Sequence, residues 1–435
     1  MSTLLSIIIL LFLTYRIYQI YGSNMIKFRV VRKYLDKPYL LSRNMYFAIF
    51  TICTAPIFLG SLSLLKYGLW FLTLIYLLLK GKMRIKFEGM TVAYMIFFAW
   101  LCCTMFYSPV PMDGLMMLIK FLLPMLFLWL GYSAINNMKD LVALLKIVNV
   151  VGCVWCLVMG GFAATFIPPL YLFMMSLCSV YAGFTDYLVA IFIVPIILYW
   201  LTGEKKYIYC ALWMVLSTVL QSVRTGMGGM MIVFVLALLL RFKGRAVPGV
   251  LFAGAMFLAV VLFVPAVNEK FFGDNAGKVS ASDIVQGNAM SMDNIETSGR
   301  EGTWELILDR FYYGNELKGS GLSAAKSYLL NSFLNKEFGI GLIHNDYIQI
   351  LAETGIIGIA LLVLFYIVVS FRVIQYVVWQ QTVPLVKLTG IMALSSLLGI
   401  AFCMYFDNVV SNSMQSMVMP FMYIGFFLKS LDIKK

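Results

Sequence analysis

The chemistry this sequence can offer rests on one histidine and a few cations. His344 is the single histidine among 435 residues, and imidazole is the side chain whose ordinary titration suits proton transfer near neutral pH. It opens the run His344-Asn345-Asp346-Tyr347-Ile348-Gln349-Ile350-Leu351-Ala352-Glu353-Thr354-Gly355-Ile356-Ile357-Gly358, which places an amide and two carboxylates close behind it. Arg224 lies in Gln221-Ser222-Val223-Arg224-Thr225-Gly226-Met227-Gly228-Gly229, where the glycines let a ligand or a backbone approach closely. Arg300 and Arg310 precede the histidine, and a guanidinium is the group best shaped to grip a phosphate through two parallel hydrogen bonds. Lys120 falls about two turns into an apolar run that follows Asp113, a depth at which a charge more often faces a polar cavity than lipid.

Each residue also has a plainer reading. Arg224 suits an arginine snorkelling to headgroups, Arg300 and Arg310 suit solvated loop charges, Lys120 can reach outward, and Glu353 suits a buried structural carboxylate. Taken together, cations for a phosphorylated group beside one proton acceptor suit group transfer. The sequence has no Walker pattern, no Ser-His-Asp arrangement and no Asp-rich metal motif, so the energy must reside in the substrate. A lipid-linked diphosphate carries its own leaving group. One histidine excludes a histidine-based metal cluster unless carboxylates complete it, and neither a metal nor another cofactor is expected.

The elements that must position these residues are membrane helices. The chain is 62% hydrophobic and 12% charged, with mean hydropathy +0.91, far from the balance of soluble domains. An all-α polytopic membrane protein is expected. Crossing a bilayer takes about twenty apolar residues, and thirteen runs answer that description, giving 12 to 13 spans. They fall near 2–21, 45–65, 67–81, 90–107, 113–133, 140–160, 184–202, 206–221, 224–241, 247–267, 347–371, 384–405 and 412–430. The first lacks the flanks of a signal peptide and reads as a retained span or an interfacial helix. The eight cysteines lie mostly within apolar runs, and Cys153 with Cys156 reads as helix packing.

The net charge of +13 follows from lysines and arginines in alternate links, as the positive-inside rule requires. No nucleic-acid partner is expected. Lys27 to Arg43, Lys80 to Lys86, Lys139, Lys205 and Lys206, Arg241 to Arg245, and Lys434 with Lys435 mark the cytoplasmic side. The charge-poor links Ser108–Asp113, Phe162–Gly183, Ser222–Thr225 and Phe406–Ser411 fall opposite, with the long polar insertion Asn268–His344. This divides the chain into N-terminal spans (1–267), a large extracytoplasmic loop (268–346) and C-terminal spans (347–435). Inside the loop, 276–296 reads as irregular. Trp304, Ile307, Leu308 and Phe311 then recur at helical spacing after a cap at Ser298. Gly314, Gly319 and Gly321 break that helix, and a second one over 324–334 is expected as an outer lid.

Several of these stretches resemble one family. Ser298-Gly299-Arg300-Glu301-Gly302-Thr303-Trp304, Lys318-Gly319-Ser320-Gly321 and the His344–Gly358 run are similar to the O-antigen ligase and O-antigen polymerase superfamily. Its pattern is Arg then Trp, Gly-x-Gly, and His-Asn-x-x-Leu-x-x-x-x-Glu-x-Gly followed by another Gly. Ile348 replaces the usual Leu, and Val223 separates Ser222 from Arg224 in a segment similar to the family's Ser-Arg-Gly. The likeness covers about residues 210–365.

The resemblance implies a metal-independent glycosyltransferase with a GT-C-like membrane fold. The donor would be a glycan on undecaprenyl diphosphate at the outer face of the bacterial inner membrane. Arg224 and Arg300 fall at the family's diphosphate-binding arginines and His344 at its general base. Lys120, Arg310 and Asn345 would be further substrate contacts. A polymerase would pass the glycan to a second undecaprenyl-linked repeat unit, and a ligase to lipid A core. The ten residues between Arg310 and Gly321 and between His344 and Gly355 match a spacing discussed for polymerases but do not decide between the two, and polymerase is the preferred reading from the Ile-, Lys-, Tyr- and Met-rich composition. A chain-length regulator and a flippase would then be protein partners. A flippase for the same lipid is the alternative of a different class, although no internal repeat supports a transporter.

Overall fold

The computed structural model describes residues 25–27, 40–57, 63–176, 181–273, 300–380, 383–410 and 416–434. Two short strands, β1 (Met25–Lys27) and β2 (Leu40–Ser42), pair antiparallel with Ile26 opposite Leu41. Helices follow: α1 (Arg43–Thr54), α2 (Ser63–Leu79), α3 (Gly89–Met105), α4 (Pro111–Ala134) and α5 (Met138–Met159). After them come α6 (Gly161–Phe166), α7 (Pro168–Met175), α8 (Tyr181–Ile191), α9 (Ile193–Thr202) and α10 (Lys206–Leu220). The middle of the chain forms α11 (Arg224–Phe242), α12 (Val247–Phe263) and α13 (Pro265–Phe272). Next are α14 (Arg300–Phe311), α15 (Ala324–Asn331) and α16 (Phe333–Phe338), and last α17 (Asp346–Ile374), α18 (Pro384–Phe406) and α19 (Val418–Lys434).

The chain is an all-α polytopic membrane protein apart from that small strand pair. Among the described residues, six stretches are long and apolar enough to span: Pro111–Ala134, Met138–Phe166, Gly183–Thr202, Arg224–Phe263, Asp346–Trp379 and Pro384–Phe406. Lys66–Leu79, Gly89–Met105 and Lys206–Leu220 are shorter apolar helices. The thirteen-run reading therefore needs adjustment. The run at 2–21 and the irregular segment 276–296 lie outside the described residues. The runs at 224–241 and 247–267 join through a tight turn at Lys243–Ala246 into one 40-residue helical stretch. The run at 45–65 is interrupted, because α1 ends at Thr54, two residues before Pro56. Phe162–Gly183, read as a link, folds partly as α6 and α7, with Pro168 opening the second.

In lipid, helices gain little from apolar burial against one another, so association depends on close packing. Gly131 of α4 and Gly425 of α19 meet the opposite backbone: a Cβ on either would overlap the Met422 or Leu128 carbonyl. Tyr94, Phe365 and Phe421 interlock beside this crossing, with ring centroids 4.6 to 5.2 Å apart. By contrast α12 turns Leu251, Phe252 and Phe263 outward, as a lipid-facing helix must.

The two ends of the bundle differ in chemistry. At one end Lys86 pairs with Asp432 over 2.7 Å, Arg372 pairs with Glu88, and Arg241 stacks on Trp200 at 4.6 Å. At the other, 300–345 is seated on the helix ends. Ser108 Oγ donates to the Leu322 carbonyl (2.7 Å) and Ser323 Oγ to the Asp113 carbonyl (3.1 Å).

Candidate active site

The helix that carries the histidine run is broken in its third turn. Gly355 has φ 69° and ψ −173° inside α17, which removes it from the helical ladder. Such a break leaves backbone donors and acceptors that must find other partners. The segment Glu316–Gly321 supplies them. Ser320 N–H donates to the Ala352 carbonyl (3.0 Å) and Gly321 N–H to the Glu353 carbonyl (2.9 Å). In return the Ile356 N–H donates to the Glu316 carbonyl (2.8 Å). Gly319 and Gly355 lie where these backbones touch: both have positive φ, and a Cβ on either would overlap the facing chain. The Gly-x-Gly and Glu-x-Gly motifs are thus two halves of one backbone junction. Nearby, the Gly314 N–H bonds the Glu316 carboxylate at 2.8 Å and holds that carboxyl below its usual range.

Above the junction the loop has its own small core. Ile307, Ala325, Leu329, Ile343 and Ala352 are buried together, with Trp304, Phe311 and Tyr328 against them. Each fully buried aliphatic side chain of this kind contributes about 1.5–3 kcal/mol. The second helix, read from the sequence as a lid over 324–334, is instead α15 wedged into the bundle end. Its Ala324, Ala325, Ser327 and Leu329 are buried, and its Lys326 N–H donates to Glu353 Oε1 at 3.1 Å. It stops at Asn331, because Ser332 caps the next helix by accepting the Asn335 N–H.

His344 sits immediately before α17, at φ 54°. Asn345 caps that helix, its Oδ1 accepting the N–H groups of Tyr347 (3.0 Å) and Ile348 (3.1 Å). Asp346 is fully buried and its Oδ2 accepts the Val410 N–H (3.0 Å). These contacts bring the histidine against the turn that follows α18. Asn408 Oδ1 accepts the His344 backbone N–H, its Nδ2 faces His344 Nδ1, and both distances are 2.9 Å. Asp407 Oδ1 is 3.6 Å from the same ring nitrogen. Because the backbone N–H fixes which end of the Asn408 amide is oxygen, Nδ1 must accept. The neutral ring as it stands therefore carries its proton on Nε2.

Of the arginines, Arg300 reaches the same turn. Arg300 opens α14 and donates through Nη1 to the Phe406 carbonyl at 2.7 Å, while Trp304, one turn on, donates to the Ile343 carbonyl at 2.8 Å. Arg224 opens α11, half-buried, where Gly228 and Gly229 lie against Phe402 and Cys403 of α18. The start of α11, which carries Arg224, thus packs on α18 close to the turn that Arg300 and His344 contact.

The other expected contacts go elsewhere. Arg310 is about 15 Å further along α14 by the helix rise, exposed and stacked on Tyr328 at 4.2 Å. Asn345 is 1% exposed and gives its Oδ1 to the cap, while its Nδ2 has no hydrogen-bond partner among the described residues. Lys120 lines a separate cavity with Lys326. Asp407 and Asn408 were missed by sequence reading, which placed Phe406–Ser411 among charge-poor links. The signal was an Asp-Asn pair between two apolar runs, where a polar pair has a cost to justify.

Residues 209–363 match the family model described as O-antigen ligase. The match, over about a third of the chain, supports the resemblance to the O-antigen ligase and polymerase superfamily. It includes Arg224, Arg300, Arg310, His344 and the whole Gly319–Gly355 junction, and ends before Asp407 and Asn408. Members of this family are glycosyltransferase-like membrane enzymes. A comparison with curated proteins finds no match to this chain.

Proposed function

We propose that the protein is a surface-polysaccharide polymerase that joins repeat units carried on undecaprenyl diphosphate, at the outer face of the bacterial inner membrane. The observation that carries this reading is the contact of Arg300 and His344 with the Phe406–Asn408 turn, beside the start of α11 that carries Arg224. Two guanidinium groups suit the diphosphate of the donor, which departs as the glycosidic bond forms. His344 takes the proton of the attacking sugar hydroxyl. For Nε2 to accept that proton, the ring must first carry its own proton on Nδ1, toward Asp407, with the Asn408 amide turned away. Asp407 and Asn408 are therefore positioning residues that select between a donating and an accepting Nε2. The reading of the site as outward-facing is supported by Lys86, Arg241, Lys243 and Arg372 at the opposite end, as the positive-inside rule would have them on the cytoplasmic side.

A ligase reading is favoured by one observation, the description of the matching family model. The two differ only in acceptor. Purified protein in lipid nanodiscs, given undecaprenyl-diphosphate repeat units and no ion gradient, should produce a ladder of lengthened glycans. A ladder that appears only when lipid A core is added, one glycan per core, would make the enzyme a ligase. No transfer to either acceptor, with movement of the lipid across the bilayer, would make it a transporter.

A further inference from the structure

One cavity in the structure is lined by two lysines. It has a volume of ≈ 350 Å³, within the range of small-ligand sites, and lies between α4 and α15, with Tyr67 of α2 at its edge. Lys120 of α4 and Lys326 of α15 both line it, near enough for their charges to act on one another. Asp113 also lines it, and two carboxylates, Asp346 and Glu353, are buried behind it in α17. Two amines that line one cavity are hydrogen-bond donors facing the same space, and an anion between them would accept from both and favour their charged forms.

The rim shows how such an anion would arrive. Met116, Ile119 and Leu330 line the cavity and are 45%, 38% and 43% exposed. A water-borne phosphate gains nothing from an apolar rim, whereas a phosphate on a lipid keeps its chain beside it. The position matters too. Lys326 is bonded through its backbone N–H to Glu353 of α17, the helix that begins two residues after His344, so the cavity and His344 are tied to the same helix.

We infer that the cavity lined by Lys120 and Lys326 binds a second diphosphate group, that of the acceptor lipid, while Arg224 and Arg300 hold that of the donor. The assignment rests on the polymerase reading above, in which both substrates end in a lipid diphosphate. It also gives that reading its geometry. The acceptor is anchored by its reducing-end diphosphate in this cavity, and its glycan extends from there to present a hydroxyl at His344.

Native mass spectrometry of the full chain in detergent, with sugar-free undecaprenyl diphosphate added, counts bound lipids directly. Two should bind per chain, one should remain in Lys120→Gln/Lys326→Gln, and one in Arg224→Gln/Arg300→Gln. Lys326→Gln alone leaves the membrane helices untouched and should weaken the second lipid on the order of tenfold. Lys120→Arg/Lys326→Arg should restore it. One lipid in the wild type, unchanged by Lys326→Gln and lost in the arginine variant, overturns this inference and leaves the donor site standing. Loss of a lipid from the lysine variant alone, with the arginine variant still binding two, keeps the second site and removes the proposed donor site. Displacement of the second lipid by an equal concentration of inorganic pyrophosphate would make the cavity a site for free diphosphate and overturn its assignment to the acceptor lipid.

Discussion

One side-chain amide holds His344 at two points: Asn408 accepts its backbone N–H and donates to its Nδ1, each over 2.9 Å. A catalytic imidazole is more often oriented by a carboxylate that accepts Nδ1–H. Here the carboxylate of Asp407 stands 3.6 Å away and the amide has taken the nearer place. The ring is thereby fixed in direction while its basic nitrogen is occupied.

His344→Ala should lower turnover by ~10² to 10⁴, the usual contribution of a general base, and leave donor binding almost unchanged. Activity of the wild type should fall on acidification, since only neutral imidazole accepts a proton. Transfer rates and donor binding measured on the same preparation check this. A variant with wild-type turnover and an unaltered pH profile would remove the histidine from the mechanism.

Asn408→Asp should move that acid limb to higher pH. A carboxylate at this position favours the imidazolium and raises the histidine's affinity for a proton, so the neutral fraction at any given pH falls. Asn408→Ala instead leaves the His344 N–H without its acceptor, at a cost of about 1–3 kcal/mol if water does not replace it. A pH–rate profile for the aspartate variant that overlays the wild type would show that the amide does not tune the ring.

Arg224→Lys and Arg300→Lys should each reduce kcat/KM tenfold or more, about 1.4 kcal/mol per decade, because an ammonium cannot reproduce the planar fork. Both proteins should insert and elute as the wild type does. For Arg300 part of the loss has a visible source, the bond to the Phe406 carbonyl that a lysine cannot make with the same geometry. Full activity in both would reduce them to surface charges.

Gly319→Ala and Gly355→Ala should each destabilise the protein by on the order of 2 kcal/mol or more, since a side chain at positive φ costs about 1–2 kcal/mol and each Cβ also meets facing backbone. Gly254→Ala is the control: it lies in α12 with open space around it and should be neutral or mildly stabilising. Thermal unfolding in detergent reads all three. Equal midpoints would mean the junction relaxes freely.

Periodicity and apolar length located α3, α4, α11 and α18 to within a few residues, because a membrane helix satisfies its backbone within itself. The spacing of Trp304, Ile307 and Phe311 likewise revealed α14. Other features depend on contacts between distant segments and have no local signature. Asn408 is 64 residues from His344, and nothing around Phe406–Ser411 indicates which partner it meets. Nothing around Lys326 in the sequence indicates that it lines one cavity with Lys120. The Gly-x-Gly and Glu-x-Gly motifs were visible as patterns, but their relation is a matter of one backbone completing another. Arg310 shows the converse, a guanidinium with promising chemistry that stacks on Tyr328 instead.

The junction at Gly355 has a consequence for building chimeras. Exchange of an outer loop between two relatives is the natural way to move acceptor preference from one to the other, and the chain's polar segment invites cuts near Arg300 and His344. Yet Glu316, Ser320 and Gly321 form hydrogen bonds that belong to the interior of the next membrane helix. A graft ending at His344 would bring a foreign 316–321 strip to a native 352–357 break and mismatch both. The smallest transplantable unit runs from Arg300 through Gly358, so its downstream seam must be made inside the bilayer.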